Sequence, residues 1–198
     1  MRRNSNRSAA EPDAPTGSGA PIVLGVDPGT LSTGFGVVAR SGKAIRLLGC
    51  GTIRNHSSLS MPLRLKKIYD ELQNVIDRFQ PTECAIESAF YGKNAQSALK
   101  LGHARGVSIV AAVQKGVPTT EYSPREVKKA VVGRGNASKE QVQFMVKALL
   151  SIHEEVMLHD TSDALAIALC HFQRYASPAI KFKDWKSYAA AYPGRVKR

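Results

Sequence analysis

Residues 22–39 read IVLGVDPGTLSTGFGVVA. An apolar run from Ile22 to Val26 stops at Asp27-Pro28-Gly29, and a second run, Gly34 to Ala39, follows after a short gap. Proline presets φ and glycine accepts a positive φ, so Asp-Pro-Gly makes a sharp turn. Two short apolar runs joined this way predict an antiparallel pair of strands. Ile45 to Ile53 (IRLLGCGTI) reads as a third strand on another short connection, giving a meander.

Downstream, the apolar period lengthens. Leu65, Ile68, Leu72, Val75, Ile76 and Phe79 fall at helical spacing within Leu63–Phe79, and Pro81 stops the helix. Glu83–Glu87 (ECAIE) is a short buried strand. Ala95–Lys115 is a long helix rich in small residues, ended by Gly116, and Pro118–Tyr122 is a fifth strand. Ser123-Pro124-Arg125-Glu126 and Ser138-Lys139-Glu140-Gln141 both fit capping boxes that open helices, the first ending near Val132-Gly133 and the second at Leu150. A last helix runs from Asp160 to Arg174. The order β-β-β-α-β-α-β-α-α-α implies an α/β domain with a mixed sheet and helices packed on it.

The totals narrow the function. The chain has 198 residues, 43% of them hydrophobic, enough for one domain with a real core. A formal charge of +12 favours a polyanionic partner, nucleic acid first and an anionic membrane surface second. Half of that excess lies in 174–198, which hold seven basic residues and one acidic one. Such a tail suits either a solubilising end or an arm for phosphate contacts. Residues 1–20 are polar and rich in Ser, Ala, Pro and Gly, which predicts a disordered extension before a folded domain over 21–174 and a basic tail over 175–198. Cys50, Cys84 and Cys170 form no C-x-x-C pair, which favours a reducing, cytoplasmic setting. No apolar run approaches a membrane span.

Four acids stand at element ends. Asp27 closes the first strand, and Glu87 closes a strand whose preceding residues are apolar. Asp160 and Asp163 are spaced i, i+3 and share one face at a helix start. Taken singly, each has an ordinary explanation: a turn residue, a solvated strand end, an N-cap with a first-turn acid. The next residues, Ala164 to Cys170, are apolar all round, so that helix is buried and draws Asp163 inward. Four carboxylates in one cleft repel and raise each other's pKa unless cations neutralise them. Mg²⁺, a hard cation that takes oxygen ligands, suits such a set. Two ions ~3.5–4 Å apart would clamp the attacking and leaving oxygens of a phosphodiester.

At these residues the chain resembles the RuvC Holliday junction resolvases of the RNase H-like superfamily. The matching blocks are LGVDPGTLSTGFGVV, AIESAFYGKNAQSALKLGHARG, YSPREVKKAVVGRGNASKEQV and HDTSDALAIALCH, in the family's order across about 22–172. The resemblance implies an RNase H-like fold with a five-stranded mixed sheet (antiparallel meander plus parallel strands) and helices on both faces. It implies paired nicking of two opposed strands of four-way DNA, leaving 5′-phosphate and 3′-hydroxyl ends. It gives Asp27, Glu87, Asp160 and Asp163 as catalytic acids and ligands of two Mg²⁺ per subunit, with Mn²⁺ as a substitute. In the resulting scheme Asp27 and Asp163 hold the ion that activates water, Asp27 and Glu87 hold the ion at the leaving oxygen, and Asp160 completes the ligation or orients water. The family further implies a two-fold homodimer, which suits a junction of two-fold symmetry, and the branch-migration proteins RuvA and RuvB as partners.

For DNA contacts the resemblance favours Phe90 as a wedge stacking on an unpaired base, with Tyr91 beside it, and Lys128 and Lys139 near the scissile phosphate. Lys93 and Arg134 flank the same elements as phosphate contacts. A hydrophobic plug explains the two aromatics equally simply, and solvated surface explains each basic residue. Gly102, Ala104 and Gly106 on the long helix suit either a dimer contact or tight packing on the helix's own sheet. The histidines His103, His153, His159 and His171 form no ligand set. Three other readings compete: an actin-like ATPase, whose first phosphate loop resembles Gly25–Thr30; a non-catalytic DNA-binding protein of this fold; and the shorter YqgF-like nucleases.

Overall fold

A computed structural model describes residues 21–42, 44–88, 95–152 and 158–176, with the backbone alone at 174–176. The expected extension 1–20, the tail beyond 176, and Phe90, Tyr91, Lys93 and His153 lie outside the described residues.

The element order is β1 (Ile22–Asp27), β2 (Ser32–Ser41), β3 (Ala44–Arg54), α1 (Met61–Phe79), β4 (Glu83–Glu87), α2 (Ala95–Gln114), β5 (Thr119–Tyr122), α3 (Pro124–Val132), α4 (Lys139–Leu150) and α5 (His159–Ala176). This is the order read from the sequence. The five strands form one sheet, β3-β2-β1-β4-β5. β1–β2 and β2–β3 pair antiparallel, whereas β1–β4 and β4–β5 pair parallel. The sheet is therefore mixed, as expected. Both predicted capping boxes form, at Ser123/Glu126 and at Ser138/Gln141.

The hairpin strands run further than their apolar residues indicate. β1 ends at Asp27, as read from the sequence, and pairs it with Gly34; β2 and β3 extend to the turn at Gly42, whose φ is +60°. Strand pairing uses backbone groups, so polar residues at strand ends join the ladder without any signal in the hydrophobic pattern.

Alternation along the strands sorts the core into two layers. Leu24, Val26, Val37, Ala39, Cys84 and Ile86 face one side and pack with Ile68, Leu72 and Ile76 of α1 and Ala104, Ala111 and Ala112 of α2. Val23, Val38 and Ala85 face the other, against Val127 and Val131 of α3, Val142 and Val146 of α4, and the length of α5. Ala164 to Cys170 are all buried, so α5 is the central helix of its layer.

α5 approaches the sheet closely because β1 and β2 present glycine there. A Cβ on Gly25 would lie 2.1 Å from the Ala164 carbonyl oxygen, and one on Gly34 would lie 2.0 Å from that of Asp160. Both obstacles are backbone, so neither can turn aside. Gly25→Ala is expected to force α5 off the sheet at a cost of at least ~1–3 kcal/mol. Thermal unfolding should register this as a lower melting temperature than wild type; an unchanged value would contradict the packing.

Candidate active site

β1 and β4 are parallel neighbours in register, Val26 opposite Ile86, so their last residues, Asp27 and Glu87, end side by side. Adjacent strands lie roughly 4.8 Å apart. Val23, Gly25 and Asp27 alternate onto the α5 side, as do Ala85 and Glu87, so both carboxylates point toward that helix. The Ser88 amide donates to the Tyr122 carbonyl at 2.8 Å, which keeps β4 paired to β5 beyond Glu87.

The first turns of α5 bring the other two acids. Gly34, the partner of Asp27, takes the Asp160 backbone directly against it. Gly34 also pairs with Thr52 of β3, whose hydroxyl bonds that of Thr161 at 3.0 Å. The Ser32 hydroxyl donates to Asp160 Oδ2. One turn on, Asp163 accepts from Lys139 Nζ at 3.0 Å. Sequence spacing placed Asp160 and Asp163 on one face; β2 and β3 decide which way that face points.

The electrostatics show how close the four acids are. Burial raises Asp27 from 3.8 to about 8, reinforced in turn by the charges of Glu87, Asp163 and Asp160 and opposed by Lys139. Glu87 is also raised, first by burial and then by Asp163, while Lys139 and Lys128 pull it down. Lys139 is held above the usual lysine range by its hydrogen bond and charge contact with Asp163, with Asp27 and Glu87 adding to this. The four carboxylates thus feel one another within one electrostatic neighbourhood.

They do not form a ready-made cage. Among the described residues, no three His, Cys, Asp or Glu side chains converge closely enough to hold a metal ion as they stand. Like charges repel, and two of the four already have partners: Asp160 accepts from Ser32 and Asp163 from Lys139. The donor chemistry still fits a hard cation, because every group is a carboxylate and the most buried one carries an unrelieved cost of ionisation.

Of the basic residues, Lys139 and Lys128 lie within electrostatic reach of the carboxylates. Arg134 lies exposed in the loop after α3, whose C-cap Gly133 has a φ of +84°, and the structure shows no contact between it and the four acids. His159 opens α5 and is exposed.

Several participants carried no sequence signal. Ser32 and Thr52 are common residue types at unremarkable strand positions. Buried His171 bonds the Tyr122 hydroxyl through Nδ1 at 2.8 Å and Glu83 Oε2 through Nε2 at 2.7 Å. That chain ties α5 to β5 and to the start of β4, the strand that ends in Glu87.

Comparison with known proteins fits this arrangement. The family model described as crossover junction endodeoxyribonuclease RuvC matches residues 23–171. A protein of that name from Chloroherpeton thalassium is 52% identical over 172 residues, spanning 86% of this chain and 92% of the relative. The Salinibacter ruber protein is 48% identical over 176 residues, 88% and 98% of the two chains. The solved structure of Thermus thermophilus RuvC in complex with a Holliday junction substrate superposes with a TM-score of 0.74 at 36% identity, covering 79% of this chain and 96% of that one. The fold, its register and these matches agree: the chain belongs to the RuvC family of crossover junction endodeoxyribonucleases.

Proposed function

We propose that Asp27, Glu87, Asp160 and Asp163 form the active site at which this endonuclease hydrolyses phosphodiester bonds of four-way DNA junctions. The observation that carries the reading is Asp27: a strand-end carboxylate raised to about 8 by burial and three neighbouring acids. Such a group stays protonated near neutral pH unless a cation neutralises it, and buried acids shifted in this way cluster at functional sites. Mg²⁺, which these four carboxylates would hold, would supply the Lewis acid that phosphodiester hydrolysis needs. Lys139 moderates the repulsion among the acids, and Lys128 sits on the Glu87 side as a phosphate contact. Phe90, Tyr91, Lys93 and Arg134 complete the DNA contacts in this reading.

The reading extends to a two-fold dimer through the outer face of α2. Gly102 and Gly106 have open space where a Cβ would be, and Leu99, Val110 and Val113 are more than half exposed. These five residues repeat every three or four positions, a continuous apolar stripe along one face. Ala104, the third small residue, is instead buried against the sheet side. A C2 pair sets two sites against two strands of a symmetric junction, and RuvA and RuvB are the partners this family membership suggests. Among the described residues no helix is long and apolar enough to cross a membrane.

Three outcomes test this. Asp27→Asn should reduce Mg²⁺-dependent cleavage of a synthetic four-way junction by more than the ~10–100-fold that follows loss of an outer metal partner; cleavage at the wild-type rate would end the proposal. The second concerns pH. Asp27's folded-state pKa lies above its unfolded value of 3.8, so protonation favours the fold. That contribution is complete below about 3.8 and is lost as pH rises toward about 8. In metal-free protein, the melting temperature of wild type should therefore fall relative to Asp27→Asn across this window, and parallel curves would remove the shift. Third, Val110→Asp should convert a dimer to a folded monomer in analytical ultracentrifugation, with circular dichroism unchanged.

A further inference from the structure

We infer that Ser32 is a positioning residue for the carboxylate site: its hydroxyl donates to one oxygen of Asp160 and so keeps that carboxylate near Asp27, available to a cation that the acids would share. The inference rests on the four-carboxylate reading above and adds to it a residue that does no chemistry itself.

The geometry is specific. Ser32 opens β2 and lies two residues before Gly34, so both project to the α5 side of the sheet. Gly34 admits the Asp160 backbone to direct contact, and the Thr52–Thr161 hydrogen bond of 3.0 Å fixes the next residue of the helix. The Asp160 backbone thus lies against the strand, with its neighbour tethered to β3. Its carboxylate would still rotate about the side-chain bonds, and the charge of Asp27 pushes it outward. The Ser32 hydroxyl donating to Asp160 Oδ2 opposes that rotation with a charge-assisted bond.

Ser32 is itself held in place. The loop before it is closed by Thr33, whose Oγ1 donates to the Gly29 carbonyl at 2.7 Å. Asn55 secures the same loop from β3, its amide donating to the Leu31 carbonyl at 2.9 Å and its side chain to the Thr30 carbonyl at 3.0 Å. Ser32 pairs in register with Arg54, the residue before Asn55. The hydroxyl is thus presented from a fixed backbone on a half-buried side chain, and it meets an acid that is adjacent only in the folded chain.

The test compares Ser32→Ala, Ser32→Thr and Asp27→Asn with wild type in two measurements. One is Mn²⁺ binding to the protein without DNA, followed by titration calorimetry. The other is the Mg²⁺ concentration that gives half-maximal junction cleavage. Ser32→Ala should weaken Mn²⁺ binding and raise the Mg²⁺ requirement by ~10-fold, the low end of what loss of an outer partner costs. Cleavage should largely recover at saturating Mg²⁺, and Ser32→Thr, which keeps a hydroxyl, should restore both values. The inference is overturned if Ser32→Ala titrates like wild type, if it loses cleavage equally at every Mg²⁺ concentration, or if Ser32→Thr is as impaired as Ser32→Ala. Asp27→Asn separates this from the parent reading. If it keeps Mn²⁺ binding and cleavage, the four-carboxylate site itself is wrong. If it loses both while Ser32→Ala matches wild type, only the role of Ser32 falls.

Discussion

Backbone touches backbone where α5 crosses β1 and β2, with Gly25 under Ala164 and Gly34 under Asp160. A side chain at either glycine would hold the helix away from the strands. The distance between Asp160 and the strand-end acids is set by that contact, because the helix carries one pair of carboxylates and the sheet carries the other. Close packing of this kind serves stability and site geometry at once: the buried run Ala164–Cys170 supplies the hydrophobic drive, and the glycines determine how far it proceeds.

The polar contacts around α5 act in the same direction. At its start, Ser32 and Thr52 hold Asp160 and Thr161 from two adjacent strands. Toward its end, buried His171 bridges Tyr122 and Glu83. A buried imidazole with partners on both nitrogens costs little, whereas an unpaired one would be expensive. The helix is thereby located along its axis as well as against the sheet, which hydrophobic burial alone, being non-directional, does not achieve.

Electrostatics set the working state of the site. Burial and three like charges keep Asp27 near 8, and Lys139 and Lys128 relieve only part of the repulsion. The acids stay near one another yet short of a closed ligand cage, with Lys139 and Ser32 each taking one of them. Asp27 stays costly to ionise, a cost that a hard cation held by the four acids would relieve.

How much of this was legible without coordinates follows from the range of each interaction. Element order, both capping boxes and the burial of Ala164–Cys170 were readable, because periodicity, N-caps and proline stops act within a few residues along the chain. The standing of the four acids at strand ends and a helix start was readable from residue order, and the family's blocks single out the same four. Extension of β2 and β3 to the turn at Gly42 was not, since ladder hydrogen bonds belong to the backbone. Nor were Ser32, Thr52, Glu83 and His171, ordinary residues whose partners lie 88 to 128 positions away in Glu83–His171, Thr52–Thr161 and Ser32–Asp160. The sequence by itself determined which side chains carry charge, which faces are apolar and where each element begins. Only the tertiary structure decided which of those side chains meet, because strand register and the glycine-set approach of α5 join segments that share no local interaction.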